Sequence, residues 1–180
     1  MHAPVNVKRA RGMPETDFLE LSWEFFGELC RVLALKVATD GFKPDLVIGI
    51  AKAGVIPGAV VASILRCDFY SLKISRDTGG ERARVRPKIL SAAPKEAAGR
   101  RVLIVDEICT SGETMRIALN ALRQVSPAEV RTATSLTKVG GYKPDYHALE
   151  TSATVVFPWD RHILDDAGNI VANPIYEGLS

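Results

Sequence analysis

The chain has 180 residues, of which 47% are hydrophobic and 24% charged, and its formal net charge is +2. That size and balance describe a soluble globular chain with enough apolar residues for one core. The near-neutral charge supplies no global field for nucleic acid or an anionic membrane, and no run approaches the ~18 apolar residues of a membrane-spanning helix. Cys30, Cys67 and Cys109 are too far apart for a disulfide or metal framework and read as buried thiols in a reducing cytoplasm.

Met1 to about Pro14 carries Lys8, Arg9 and Arg11 without a following apolar stretch, so it reads as a loose tail rather than a secretory signal. Residues 15–180 are then expected to form a single domain. Asp17 is placed to cap a helix running to about Ala38, because Phe18, Leu21, Phe25, Leu29 and Val32 follow helical spacing. Leu46–Ile50 reads as a buried strand, 51–58 as a small-residue loop, and Pro57 as the opening of a helix reaching about Arg66. Phe69–Ile74 alternates as a strand. Residues 75–92 carry Gly79, Gly80 and many charges and read as a mobile excursion, with a returning strand near Val85–Leu90. A central strand is expected at 101–105, a helix at 113–125, a strand at Val130–Leu136 and another at Thr154–Phe157, followed by an irregular tail from Pro158. Alternating strands and helices predict an α/β fold, a parallel-sheet core with helices on both faces, with ligands beyond the carboxyl ends of the strands.

The densest signal is Val102-Leu103-Ile104-Val105-Asp106-Glu107-Ile108-Cys109-Thr110-Ser111-Gly112-Glu113-Thr114. An apolar run stops at two carboxylates, a hydroxyl- and glycine-rich turn follows, and Met115, Ala118, Leu119 and Leu122 then recur at helical spacing. Backbone N–H groups at such a turn, with the positive end of a helix dipole, suit a phosphate. The carboxylates suit sugar hydroxyls, a metal ion or a cationic centre. A purely structural alternative is a capping box, with Thr110 at the N-cap and Glu113 three residues on.

This segment resembles the phosphoribosyl-diphosphate (PRPP) signature of the type I phosphoribosyltransferases: an apolar strand, two acids, a spacer, then Thr/Ser-Gly-x-Thr/Ser. The resemblance implies an enzyme of that fold with a small hood and base-binding subdomain. It implies PRPP contacts from Asp106, Glu107, Thr110, Ser111, Gly112, Glu113 and Thr114, with Asp106 and Glu107 as the catalytic pair. Mg²⁺ is implied as cofactor, held by that pair mainly through PRPP and water. The stretch Ala51-Lys52-Ala53-Gly54 is similar to the family's diphosphate loop, with Lys52 at the basic position and Ala53 in place of its first glycine. A cis peptide at Ala51–Lys52 belongs to the same resemblance. Arg82, Arg84, Arg86 and Lys88 recur every second residue on one face of a strand, and Arg86 and Lys88 are expected to meet the departing diphosphate when the hood closes. A nucleic-acid stripe or a solvated basic edge are the alternatives, and the lack of interleaved aromatics counts against the first.

Ser135-Leu136-Thr137-Lys138 and Val155-Val156-Phe157-Pro158-Trp159-Asp160 resemble the base pocket of the xanthine-guanine and hypoxanthine members. There a lysine at the place of Lys138 donates to the 6-oxygen, backbone near Val156 reads the other purine edge, and Phe157 or Trp159 stacks on the ring. An ammonium only donates, so it accepts a 6-oxopurine and rejects adenine's 6-amino group. One departure stands out: the 6-oxopurine group usually has an aspartate at the position of Thr110, and a threonine is no carboxylate base at neutral pH. His147 and His162 read as ordinary surface or core histidines rather than substitutes. The expected reaction is transfer from PRPP to guanine, xanthine or hypoxanthine by a cytoplasmic homodimer. Orotate as the base, or a PRPP-sensing nucleic-acid-binding regulator, are the alternatives. No Gly-x4-Gly-Lys-Ser/Thr and no Gly-x-Gly-x-x-Gly run occurs, which removes P-loop kinase and dinucleotide-binding readings.

Overall fold

The apolar runs of the middle of the chain become strands of one sheet, and the intervening stretches cover it. A computed structural model describes residues 6–9, 17–75 and 87–176. In chain order the elements are β1 (Asn6–Arg9), β2 (Asp17–Glu20), α1 (Trp23–Thr39), β3 (Leu46–Ala51), α2 (Val55–Leu65), β4 (Asp68–Ser75), β5 (Lys88–Ile89), β6 (Arg101–Cys109), α3 (Glu113–Arg123), β7 (Glu129–Lys138), β8 (Tyr146–Thr151), β9 (Thr154–Val156), β10 (His162–Leu164) and β11 (Ile170–Ala172). They fall into two compact units, one formed by Leu29–Thr151 and the other by Met1–Glu28 with Ser152–Ser180.

The Leu29–Thr151 unit holds a six-stranded sheet in the order β5-β4-β3-β6-β7-β8. All neighbours run parallel except β5, which is antiparallel to β4. Its strands alternate between two buried faces, which is why their sequences read as continuous apolar runs. Leu46, Ile48, Ile50, Val102 and Ile104 share a core cluster with Met115, Ala118 and Leu122 of α3. The intervening Gly49 faces α2: a Cβ there would come within 2.8 Å of the Gly54 carbonyl oxygen and 2.9 Å of the Val55 Cα. Only hydrogen at Gly49 lets the start of α2 lie this close to the sheet. This mixed α/β architecture, with a mostly parallel sheet and helices on it, is the fold expected from the sequence.

The unit drawn from the two ends of the sequence has a three-stranded sheet, β1-β2-β9, and a separate β10–β11 hairpin. Phe157 and Trp159 stack with centroids 4.7 Å apart, and Phe26 meets both edge-on at 6.0 and 4.9 Å. Trp23 tilts against Trp159 at 5.8 Å.

Several expectations are corrected. Asp17 does not cap a helix, because Asp17–Glu20 is a strand between β1 and β9. The helix starts at Trp23 instead, and its first turn is held by Ser22, whose Oγ accepts from the Phe25 N–H at 3.1 Å. Asn6–Arg9, inside the presumed loose tail, is a strand paired with β2. Helix α2 begins two residues before Pro57, on backbone turns from the Val55 and Ile56 N–H groups to the Lys52 and Ala53 carbonyls. Strand β6 continues past the acids to Cys109, because Asp106, Ile108 and Cys109 each find a register partner in β7. Edge strand β8, and the β10–β11 hairpin in the presumed irregular tail, were not anticipated. The Gly79, Gly80, Arg82, Arg84 and Arg86 part of the expected hood lies outside the described residues. The returning strand is present as Lys88–Ile89.

Candidate active site at the carboxyl end of the sheet

Strand β6 carries the acids to the carboxyl edge of the sheet, the end where open parallel sheets bind ligands. Asp106 is buried, 6% exposed, while Glu107 is half-buried. The Glu107 N–H donates to Asp106 Oδ1 at 3.0 Å, which holds the carboxylate against its own backbone. Thr110 and Ser111 are exposed, and Gly112 turns the chain with φ +76°, a left-handed conformation that glycine adopts without strain. Helix α3 starts at the next residue, Glu113, with no side chain capping it. The Thr110–Glu113 capping box is therefore not formed: Gly112 holds the cap position, and the Glu113 N–H makes a long 3.4 Å contact with Ser111 Oγ. The turn thus presents the N-terminus of a packed eleven-residue helix, anchored by buried Thr114 and Met115, toward the same corner as the acids.

The second loop reaches that corner from β3. The Ala51–Lys52 peptide is cis, Lys52 is exposed and Ala53 half-buried. Gly54 is the contact point: a Cβ on it would sit 2.7 Å from Asp106 Oδ1, 2.9 Å from Asp106 Cα and 2.7 Å from the Ile50 carbonyl oxygen. Gly54 has φ −64°, so any residue could adopt its backbone. Glycine is needed for space alone. Two sequence-distant motifs, the basic small-residue loop and the acidic pair, are thereby in van der Waals contact.

Strand β7 ends beside this corner at Lys138, which is half-buried, and desolvation holds its ammonium pKa below the usual lysine value. The backbone then turns, with the Gly141 N–H donating to the Lys138 carbonyl at 2.9 Å, and the Tyr142 N–H donates to the Thr110 carbonyl at 2.8 Å. Sequence reasoning missed Tyr142. The available signal was an aromatic directly after the Gly140-Gly141 pair that closes the lysine turn.

Of the remaining expected site residues, Val156, Phe157 and Trp159 lie in the other unit, and Lys138 does not. Phe157 is 6% exposed between Phe26 and Trp159, a core position in its own unit, while Trp159 is half-buried. Lys88 is exposed on β5, and Arg86 lies outside the described residues. His147 is half-buried, with burial as the main cause holding its pKa below the ordinary histidine value, and His162 is exposed. Among the described residues no cluster of three or more His, Cys, Asp or Glu side chains is placed to hold a metal ion. Among the same residues no helix is long and apolar enough to cross a membrane.

The chain is similar to a xanthine-guanine phosphoribosyltransferase of Gluconobacter oxydans (strain 621H), 25% identical over 84% of this chain and 90% of that protein. It is 31% identical to an orotate phosphoribosyltransferase of Methylorubrum extorquens (strain PA1), over 63% of this chain; the match spans about half, 54%, of that relative. Among solved structures it resembles a purine phosphoribosyltransferase from Pyrococcus horikoshii Ot3, with a TM-score of 0.69 and 26% identity over 79% of this chain and 93% of that one. Residues 21–166 match the phosphoribosyl transferase domain, a span that includes both loops and the β7 lysine turn, and the chain belongs to this family of transferases.

Proposed function

We propose that this phosphoribosyltransferase transfers the ribosyl 5-phosphate of PRPP to a 6-oxopurine, giving a nucleoside monophosphate and diphosphate. The observation that carries the reading is the contact of Gly54 with Asp106, which puts a diphosphate-type loop and a ribose-type acidic pair in one corner. In this reading the 110–114 turn takes the 5-phosphate on backbone N–H groups, and Asp106 and Glu107 take the ribose hydroxyls. The bond from C1′ to the diphosphate oxygen breaks with its electron pair leaving on the diphosphate, and a ring nitrogen of the base closes on C1′. Positive charge spreads over C1′ and the ring oxygen in between, so two fixed carboxylates near that sugar lower the barrier. Lys52 faces the leaving diphosphate, with Arg86 and Lys88 assigned to the closing hood. Mg²⁺ would neutralise diphosphate charge, and Asp106 with Glu107 offers the hard oxygen donors it prefers while leaving most of its shell to PRPP and water.

The choice of base rests on Lys138. An ammonium at the end of β7 donates to a 6-oxygen and finds no acceptor on a 6-amino group. Thr110 cannot take the base proton as a carboxylate would, so that proton goes to water or to another residue. A homodimer working in the cytoplasm belongs to the same proposal. The test is product formation from PRPP and Mg²⁺ with guanine, xanthine, hypoxanthine, adenine and orotate supplied singly. Turnover confined to the three 6-oxopurines is the expected result. Turnover with orotate alone would replace the base assignment and leave the corner's chemistry standing.

A further inference from the structure

We infer that Tyr142 is a positioning residue that clamps the phosphate-binding turn from outside and ties it to the lysine turn. The inference rests on reading residues 110–114 as the 5-phosphate site. The turn is exposed at Thr110 and Ser111, has no side-chain cap, and contains a left-handed glycine, so little within it fixes the direction of its N–H groups. Fixing comes from residues 137–142. The Tyr142 N–H donates to the Thr110 carbonyl at 2.8 Å. Buried Thr137 donates its hydroxyl to the Tyr142 carbonyl at 3.0 Å and lies 3.3 Å from the Cys109 carbonyl, bridging the two segments from below. The Tyr142 ring lies directly over Gly112, where a Cβ would fall 2.3 Å from the ring's Cγ. Gly141 is also pressed against the Thr110 carbonyl, whose oxygen would lie 2.6 Å from a Cβ on it. Arg116, one turn into α3, holds its guanidinium over the same ring at 5.4 Å from the centroid.

The two glycines and the tyrosine are thus one steric unit. Gly112 lets the ring down onto the turn, Gly141 lets the lysine turn reach the Thr110 carbonyl, and the ring then keeps the Gly112 and Glu113 N–H groups at one angle. Because the same backbone runs back four residues from Tyr142 to Lys138, the phosphate turn and the proposed base-reading lysine share a support. Binding PRPP would therefore also order the loop after Lys138.

The test is calorimetry of the full chain with two probes, Mg²⁺–PRPP and Mg²⁺–diphosphate, on wild type, Tyr142→Ala, Tyr142→Phe and Thr137→Val. Tyr142→Ala is expected to weaken PRPP by about 10- to 100-fold, the scale of misdirected hydrogen bonds to a charged group. Diphosphate, bound by the 51–54 loop, should change by less than twofold. Tyr142→Phe keeps the ring and should restore wild-type PRPP affinity. Thr137→Val, close to isosteric, should fall between them and serves if the alanine variant does not fold. Equal losses for both probes would mean a general structural role, and unchanged PRPP affinity in Tyr142→Ala and Thr137→Val would likewise overturn the inference. A wild type that does not bind PRPP at all would instead remove the phosphate-site reading beneath it.

Discussion

Replacing Gly54 by alanine adds one methyl group at the junction of the two loops, and the structure sets what that methyl meets. Its three nearest atoms would be Asp106 Oδ1 and the Ile50 carbonyl oxygen, both at 2.7 Å, and Asp106 Cα at 2.9 Å. Two of these are backbone atoms of β3 and β6, so a side-chain rotation relieves only the first. The backbone at Gly54 is already helical, so no conformational penalty blurs the comparison. Reaching ordinary contact needs the loop and Asp106 to part by roughly 0.5 Å or more. Forced overpacking of this kind costs about 1–3 kcal/mol, or roughly 2–12 °C in melting temperature for a chain of this size. If Asp106 acts on the ribose as proposed, moving its carboxylate by a sizeable fraction of an ångström should lower kcat/KM by about 10- to 100-fold. Gly27→Ala is the matched control: Gly27 lies in the interior of α1 with nothing within 4 Å of its notional Cβ, so alanine there should stabilise by about 0.5–1 kcal/mol and leave turnover unchanged. The assays are differential scanning calorimetry and initial rates at saturating base with varied PRPP. A Gly54→Ala enzyme that melts and turns over like wild type would refute the claim that this contact sets the corner. One that loses stability but keeps its rate per folded molecule would refute the link to catalysis.

Asp106→Asn keeps the volume and removes the charge, and should lower kcat by about 10²–10³-fold with little change in melting temperature; a loss under tenfold, in initial-rate assays, would remove Asp106 from the catalytic pair. Lys138→Met should cut the preference for guanine or hypoxanthine over adenine by about 10- to 100-fold in competition assays, and an unchanged ratio would exclude Lys138 from base reading. At the opposite end of the sheet, Asp45 accepts from Arg101 through Nε and a terminal nitrogen and from the Arg101 backbone N–H, and chiefly the side-chain bonds hold its pKa down at about 2. A lowered carboxylate pKa stabilises the fold above its unfolded value and loses that contribution as pH falls from about 4 to about 2. The pair is partly exposed, so wild type should exceed Asp45→Asn by about 0.2–1 kcal/mol at pH 6 in urea melts, and the gap should shrink through pH 2 and close by about pH 1. A gap that stays constant with pH would show that the carboxylate's charge is not what matters.

What could be read from the sequence was what is local. The β6–turn–α3 segment carries its own signals, an apolar run, two acids, a glycine and a 3.6-residue period, and its placement needed no knowledge of the rest of the chain. The same holds for β3 and the small-residue loop after it. Elements defined by a distant partner were missed. Asp17–Glu20 has a respectable helical pattern behind it, and only pairing with Asn6–Arg9 on one side and Thr154–Val156 on the other makes it a strand. Tyr146–Thr151 is a half-exposed edge strand whose residues do not alternate cleanly, so its identity lies in β7. The β10–β11 turn did carry a signal, Asp165 followed by Gly168, with the Ala167 and Asn169 N–H groups on Asp165 Oδ1, but the flanking runs are only three residues long. In the site, residue types were legible and their contacts were not. Nothing in the string Gly54 or Tyr142 says which surface it presses against, because close approach is a property of two segments at once.

The way the two units are cut from the chain has a consequence for its birth on the ribosome. Leu29–Thr151 is continuous, so its sheet has every strand in hand once Thr151 has left the exit tunnel. Strand β2 is made before the strands of that sheet, yet its partner β9 is made after them. Until then one edge of β2 waits without its neighbour, and closing that span costs more loop entropy than any neighbouring-strand pairing in the larger sheet. Assembly order is therefore written into the topology: the corner where Gly54 meets Asp106 can form before the unit holding Phe157 and Trp159 is complete.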